Sequence, residues 1–274
     1  MKELNLKEIQ KAELNNLKVI NRICQENNIK YFLAYGTLLG AIRHHGFIPW
    51  DDDTDVWMPR DEYEKFLKYC QKHTEEIKPF KLCTRENTPN YPYGVARFCD
   101  QRYKYVTINP SERDFELGVF TDIYPLDNLG NENIEPINEL AKYCQKQNIS
   151  YLRYCSGVSN NKLKAIFKKI DYLYLHLIHG KNYAKKVDAN IIQKINMLTS
   201  PTDIYIGLIA WDSQLYKRYR KEDFKEIAKV TFEDAEFPVP KNYDNILKLT
   251  YGNYMKFPPE SERHPYHGYK IFKK

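Results

Sequence analysis

With 274 residues and 42% hydrophobic content, the chain can bury a substantial core, either as one large domain or as a core with an appended lobe. Its net charge of +6 and isoelectric point near 8.7 favour anionic partners such as nucleotides, phosphorylated polymers or anionic lipid surfaces. Nucleic acid is excluded as the expected partner, because the basic residues are spread and no zinc-finger spacing, RNA-binding signature or clean helix-turn-helix occurs. Cys24, Cys70, Cys83, Cys99, Cys144 and Cys155 form no CxxC pair or metal-ligand spacing, and read as small core residues in a reducing compartment. The N-terminus lacks an apolar signal core, and no run of about 18 apolar residues occurs. A cytoplasmic protein is the expectation.

In chain order, Leu4 to Glu26 carries Leu6, Ile9, Leu14, Leu17, Ile20 and Ile23 at helical spacing, an amphipathic helix suited to pack on a sheet. Tyr31 to Tyr35 reads as a buried strand, broken by Gly36-Thr37 before a short apolar helix, Leu38 to Arg43. Gly36 permits close approach to a ligand. Thr37 is expected near the helix start, where its hydroxyl would cap free N–H groups and where phosphate is attracted. A loop, Gly46 to Asp52, leads into a second strand in which Asp53 and Asp55 share one face while Thr54 and Val56 take the other.

Asp61 to Thr74 resumes helical periodicity. Phe80 to Thr84, Tyr93 to Cys99, Tyr103 to Ile108 and Gly118 to Ile123 are rich in aromatic and β-branched residues and read as further strands. Period two places Phe120, Asp122 and Tyr124 together, which makes Asp122 the candidate third carboxylate, with Asp100 and Asp127 as competitors and Asp127 better explained as a turn residue. Three helical stretches follow, Ile134 to Gln147, Lys162 to His179 and Tyr183 to Leu198. The second has a broad apolar face beside Lys164, Lys168 and Lys169, the pattern of an interior helix or of one lying in a membrane interface. Ile204 to Trp211 is ambiguous between strand and helix, Phe232 to Pro240 is a proline-bounded loop, and Asn242 to Tyr251 is a helix ended by Gly252. The tail from Pro258 to His267 has no core pattern.

Clustered carboxylates repel and raise each other's pKa, so a fold that gathers them usually supplies a cation. Hard oxygen ligands select Mg²⁺ or Mn²⁺, held by one or two carboxylates together with substrate phosphates. An isolated Asp-x-Asp is common on surfaces, but here Trp50 precedes the cluster and Val56-Trp57-Met58 follows it, which suggests a cleft.

Three stretches carry a family resemblance: the run from Tyr35-Gly36-Thr37 through Arg43-His44-His45-Gly46 to Trp50-Asp51-Asp52-Asp53-Thr54-Asp55-Val56, then Phe120 to Asp127, then Tyr251 to Pro259. Together they resemble the LicD family of phosphocholine transferases, which is similar to the nucleotidyltransferase superfamily and includes the fukutin-related transferases. The resemblance implies an α+β fold: a nucleotidyltransferase-like mixed sheet flanked by helices over residues 1–130, and an appended, mainly helical lobe with a C-terminal tail over 131–274 that completes the active site.

It further implies transfer of a phosphoalkyl group, such as phosphocholine, from a CDP-activated alcohol donor to a sugar hydroxyl, with release of CMP. Asp53, Asp55 and Asp122 would be the catalytic metal ligands for Mg²⁺ or Mn²⁺, and one of them or Asp51 would take the hydroxyl proton. Gly36, Thr37 and Arg43 would hold phosphate, with His45, Arg263, His264 and His267 as further contacts and Tyr35 and Trp50 as aromatic faces for a trimethylammonium head. Trp57, Tyr91 and Tyr93 are additional aromatic candidates. The acceptor would belong to a cell-surface glycan, a lipopolysaccharide or a teichoic-acid precursor, free or lipid-linked, reached at the inner face of the membrane. Choline, ethanolamine, glycerol and ribitol remain open as head groups. Two other functions stay open: a nucleotidyltransferase moving NMP from NTP, and a non-catalytic nucleotide- or glycan-binding module.

Overall fold

The structure, a computed structural model, describes residues 1–107, 117–156, 159, 161–209, 217–265 and 268–274. Helix α1 (Leu6–Glu26) opens on a capping box in which the Asn5 side chain accepts from the Glu8 N–H and the Glu8 carboxylate accepts from the Asn5 N–H, each at 3.0 Å. Its apolar stripe buries Leu17, Ile20 and Ile23 against the central sheet. Asn16, buried on the same helix, donates to the carbonyls of Phe98 and Val119 at 3.3 and 3.0 Å and so pins the helix to two strands.

That sheet contains, in order, β2 (Phe32–Leu33), β3 (Thr54–Pro59), β7 (Val119–Asn128), β5 (Ala96–Asp100) and β4 (Phe80–Cys83). Strands β3 and β7 run parallel, placing Thr54 beside Thr121 and Asp55 beside Asp122, and the other pairings are antiparallel. A parallel pair needs a crossover, which helix α3 (Arg60–Lys72) and the β4–β5 pair supply. Asp127 corrects the turn reading: it is buried within β7, where the Arg60 guanidinium clasps both its carboxylate oxygens at 2.7 Å. Fully buried charge is retained here because its partner is bidentate.

Helices α4 (Glu135–Cys155), α5 (Lys162–His179) and α6 (Tyr183–Leu198) share a second core around Leu140, Tyr151, Val187 and Ile191. Arg85 ties this core to the sheet, donating to Asp188 on α6 at 2.9 Å and to Asn148 on α4 at 2.7 Å. Beyond α6 the chain returns to the first core. Strand β8 (Tyr205–Gly207) occupies part of the ambiguous apolar stretch and pairs with the end of β7 and with β9 (Tyr219–Arg220), while residues 210–216, including Trp211, lie outside the described residues.

Phe232 to Pro240 is not a loop. It forms the turn and second strand of a hairpin, β10 (Ile227–Phe232) with β11 (Ala235–Pro240). The Lys241 N–H donates to Glu226 O at 2.9 Å, which sets the odd-numbered residues of β11 into the ladder and turns Pro238 and Pro240, which have no N–H, away from it. Helix α7 (Tyr243–Tyr251) ends at Gly252, whose φ of 66° suits glycine. Beyond the tail, β12 (Tyr269–Lys273) pairs with β6 (Tyr103–Thr107) and with β1 (Lys2–Glu3), joining the two ends of the chain in one sheet.

Candidate active site

Helix α2 (Tyr35–His44) begins three residues earlier than the glycine suggests, leaving only Phe32–Leu33 as strand. Tyr35 takes φ of 40°, a costly backbone for a non-glycine residue, held by edge-on packing of its ring against Trp57 at 4.8 Å and Tyr124 at 5.2 Å. Thr37 is therefore inside the helix and caps nothing. Its hydroxyl instead accepts the Asp55 N–H at 2.9 Å, linking α2 to β3. Gly36 has a close neighbour within the protein: a Cβ there would lie 2.7 Å from Asp51 Oδ2.

The acidic loop is held from behind. Gln10 on α1 donates to Asp51 O at 2.8 Å, and the Tyr269 hydroxyl on β12 donates to Asp52 O at 2.8 Å. Carboxylate oxygens of Asp51, Asp52 and Asp53 come within 4.8 Å of one another. Strand β3 then separates its two faces. Thr54 donates to Glu13 at 2.6 Å and lies 2.7 Å from the Thr121 hydroxyl, on the side of α1. Asp55 and Asp122 are buried and adjacent across β3 and β7.

These two acids differ in their partners. Arg97 Nε donates to Asp122 Oδ1 at 2.7 Å, and its guanidinium lies over the rings of Tyr93 and Phe120 at 4.0 and 3.9 Å. Asp55 Oδ1 is buried without a hydrogen-bond partner among the described residues. Burial, then the charges of Asp53, Asp122, Asp51 and Glu13, push the Asp55 carboxyl well above the usual aspartate range. Glu13 is raised too, because burial outweighs the hydrogen bond from Thr54. An orphaned buried carboxylate oxygen beside three clustered carboxylates is a hard-oxygen donor set, and it fits a divalent cation of the magnesium or manganese kind.

A cavity of about 690 Å³ is lined by Gly36, Asp51, Asp53 and Asp55 together with Tyr251, Tyr254 and the Lys256 to Pro259 stretch. Arg43 lines it, donating to Tyr254 O at 2.8 Å with its guanidinium 4.8 Å from the Phe257 ring. Trp50 lines it as well, and Arg263 lies 5.7 Å from the Trp50 ring and 5.5 Å from that of Phe257. Lys256 adds a further positive charge.

Other expected contacts fall elsewhere. His45 is exposed at the left-handed cap of α2, where its carbonyl accepts from the Glu233 N–H in the β10–β11 turn. His264 is exposed, and His267 lies outside the described residues. Trp57 and Tyr91 are fully buried packing residues, and neither they nor Tyr93 line the cavity.

Residue-level reading missed several members. Glu13 and Arg97 are single charges set among apolar neighbours, at Ile9-Glu13-Leu17 helical spacing and in the strand Ala96-Arg97-Phe98, and that isolation was their available signal. Tyr251, Tyr254, Lys256 and Phe257 lie in a stretch marked by resemblance, yet only folding brings them to the cavity that the acids line.

Carboxylates of Asp51, Asp53 and Asp55 sharing one cavity with arginine, lysine and aromatic side chains make a layout suited to a phosphotransferase. Residues 28–127 match the family model described as LicD/FKTN/FKRP, nucleotidyltransferase domain. Over 97% of its length the chain is 33% identical to the lipopolysaccharide cholinephosphotransferase LicD of Haemophilus influenzae, covering 97% of that protein. Shorter matches join it to uncharacterized proteins of Rickettsia typhi, 31% identical over 45% of this chain and 37% of the relative, and Rickettsia prowazekii, 46% identical over 23% and 21%. The chain belongs to the LicD family.

Proposed function

We propose that this phosphotransferase moves phosphocholine from CDP-choline to a sugar hydroxyl of a cell-surface glycan, as the name of the Haemophilus relative, a lipopolysaccharide cholinephosphotransferase, suggests. The acceptor oxygen attacks the phosphorus that bears choline, the bond from that phosphorus to the bridging diphosphate oxygen breaks, and CMP leaves with the bridging oxygen. The hydroxyl proton passes to one of the carboxylates that line the cavity, Asp51, Asp53 or Asp55.

Asp51, Asp52 and Asp53, backed by Asp55 and Asp122, are the residues that would hold a divalent cation. When bound, such a cation neutralises charge on the diphosphate and lowers the pKa of a hydroxyl it touches. Arg43, Lys256 and Arg263 provide positive charge for the phosphates and the departing CMP. Thr37 is a positioning residue, fixing the Asp55 backbone. Trp50 and Tyr251 offer aromatic faces to a trimethylammonium group, and the acids near Tyr251 add to the attraction.

The observation that carries this reading is that the acidic residues Asp51, Asp53 and Asp55 line the same cavity as Arg43, Lys256, Trp50, Tyr251 and Phe257. It is tested by incubating the protein with Mg²⁺ and a panel of CDP-alcohols, or with NTPs, and measuring the mass of the released nucleotide. CMP from CDP-choline is the expected product. Pyrophosphate from an NTP would replace the proposal with nucleotidyl transfer, and nucleotide binding without any turnover would reduce the protein to a binding module.

A further inference from the structure

Helix α5 buries little. Among its described side chains only Leu175 is buried. Tyr172, His176 and His179 provide the rest of its inward face, with the His176 ring stacked on Tyr154 and the His179 ring on Tyr183, both at centroid distances of 3.8 Å, while Asp171 is ion-paired with Arg153 of α4 at 2.8 Å. Those contacts set the rotation of the helix about its axis.

The opposite face is apolar and open. Leu163, Ile166, Phe167, Ile170, Leu173, Tyr174, Leu177 and Ile178 follow i, i+3, i+4, i+7 spacing, and all are exposed, with Leu163 at 71%, Phe167 at 72% and Leu177 at 84%. From Leu163 to Ile178 this stripe runs about 22 Å along the helix without a polar interruption. Monomeric proteins rarely leave so long an apolar strip in water. Lys164 borders one edge of it and Lys169 the other, both exposed.

We propose that α5 docks on the surface of a bilayer containing anionic phospholipid, with the stripe in the headgroup–acyl boundary and the lysines among the phosphates. An apolar face bordered by lysines is complementary to such an interface. A second copy packed on the same face would instead bring two lysine borders together. No helix of the described residues is long and apolar enough to cross a membrane, so the contact lies in the plane of the surface. Docking by α5 is independent of the transfer reaction and is read by vesicle binding alone.

The full chain is sedimented with vesicles of phosphatidylcholine and phosphatidylglycerol at 3:1, and with phosphatidylcholine alone. Binding to the mixed vesicles, at least tenfold weaker on neutral ones, is expected. Phe167→Asp with Leu177→Asp should lose at least tenfold in binding to the mixed vesicles at unchanged melting temperature, since both side chains are exposed. Lys164→Glu with Lys169→Glu should lose a similar factor, and carries the test by itself if the first variant fails to fold. Wild-type protein that stays in solution with mixed vesicles, or variants that bind as wild type, would overturn the proposal. So would a lipid-free dimer that Leu177→Asp dissociates, because a second copy would then be the occupant.

Discussion

Asp55 and Asp122 are register partners on the parallel strands β3 and β7, and Arg97 bonds Asp122 at 2.7 Å while Asp55 Oδ1 has no hydrogen-bond partner among the described residues. Two acids at the same height in one sheet are thus divided into one paired with a guanidinium and one with a buried oxygen left unpaired among the described residues. Each half of this division has a measurable consequence.

Removing the neutralising partner should cost stability. Arg97→Met leaves Asp122 buried and uncompensated, a loss of about 3–5 kcal/mol. Chemical denaturation of Arg97→Met, Asp122→Asn and the double variant checks this: the double variant should recover part of the loss, and additive losses would mean that the two side chains are not energetically coupled.

Removing a carboxylate from the loop should cost activity and not folding. Asp53→Asn relieves repulsion among Asp51, Asp53 and Asp55, so its melting temperature in chelator should equal or exceed that of the wild type. CMP release should fall by about a hundredfold or more. Added Mg²⁺ should raise the wild-type melting temperature and leave that of Asp53→Asn nearly unmoved, as binding linkage requires.

Gly36→Ala tests the closeness of α2 to the loop. Alanine suits a helix better than glycine, but its Cβ would stand 2.7 Å from Asp51 Oδ2, so the Asp51 side chain must move. Turnover should drop by about 10- to 100-fold with little change in melting temperature, because small misplacements of a reacting group are costly. Unchanged turnover would mean that Asp51 has no part in the chemistry.

Glu13 predicts a pH signature. Its carboxyl is raised in the folded state, so the native protein holds a proton that the unfolded chain releases near the ordinary value of 4.5. Stability should therefore fall as pH rises from 4.5 towards the elevated native value, and be fully present below 4.5. Glu13→Gln removes this titration. Denaturation midpoints taken in chelator from pH 4 to pH 8 should decline less steeply in the variant, and parallel curves would remove Glu13 from the account.

Much of the scaffold is readable along the chain because its causes are local. Apolar spacing in Leu17, Ile20 and Ile23 dictates a helix with one buried face, and the same spacing marks α5 and α6 at their observed bounds. Period two in Phe120, Asp122 and Tyr124 dictates which side chains share a face of β7. The failures are equally physical. The β10–β11 hairpin hides behind Pro238 and Pro240, whose tolerance depends on which residues of β11 face its partner strand. Thr37 resembles a cap until Ala34 is seen to start the helix, and Asp127 resembles a turn residue until Arg60 arrives from α3.

Residue type and spacing alone determine most of the helices and strands, the run of carboxylates between a glycine turn and a strand, and the resemblance to the LicD family that implies an α+β fold, since each depends only on neighbours in sequence. Tertiary structure alone decides that Arg97 neutralises Asp122 and not Asp55, that the stretch after Tyr251 lines the same cavity as the acids, and that the apolar face of α5 points outward. Those outcomes are set by contacts between segments dozens to hundreds of residues apart, and which of several chemically similar partners wins such a contact is a property of packing, which no local pattern encodes.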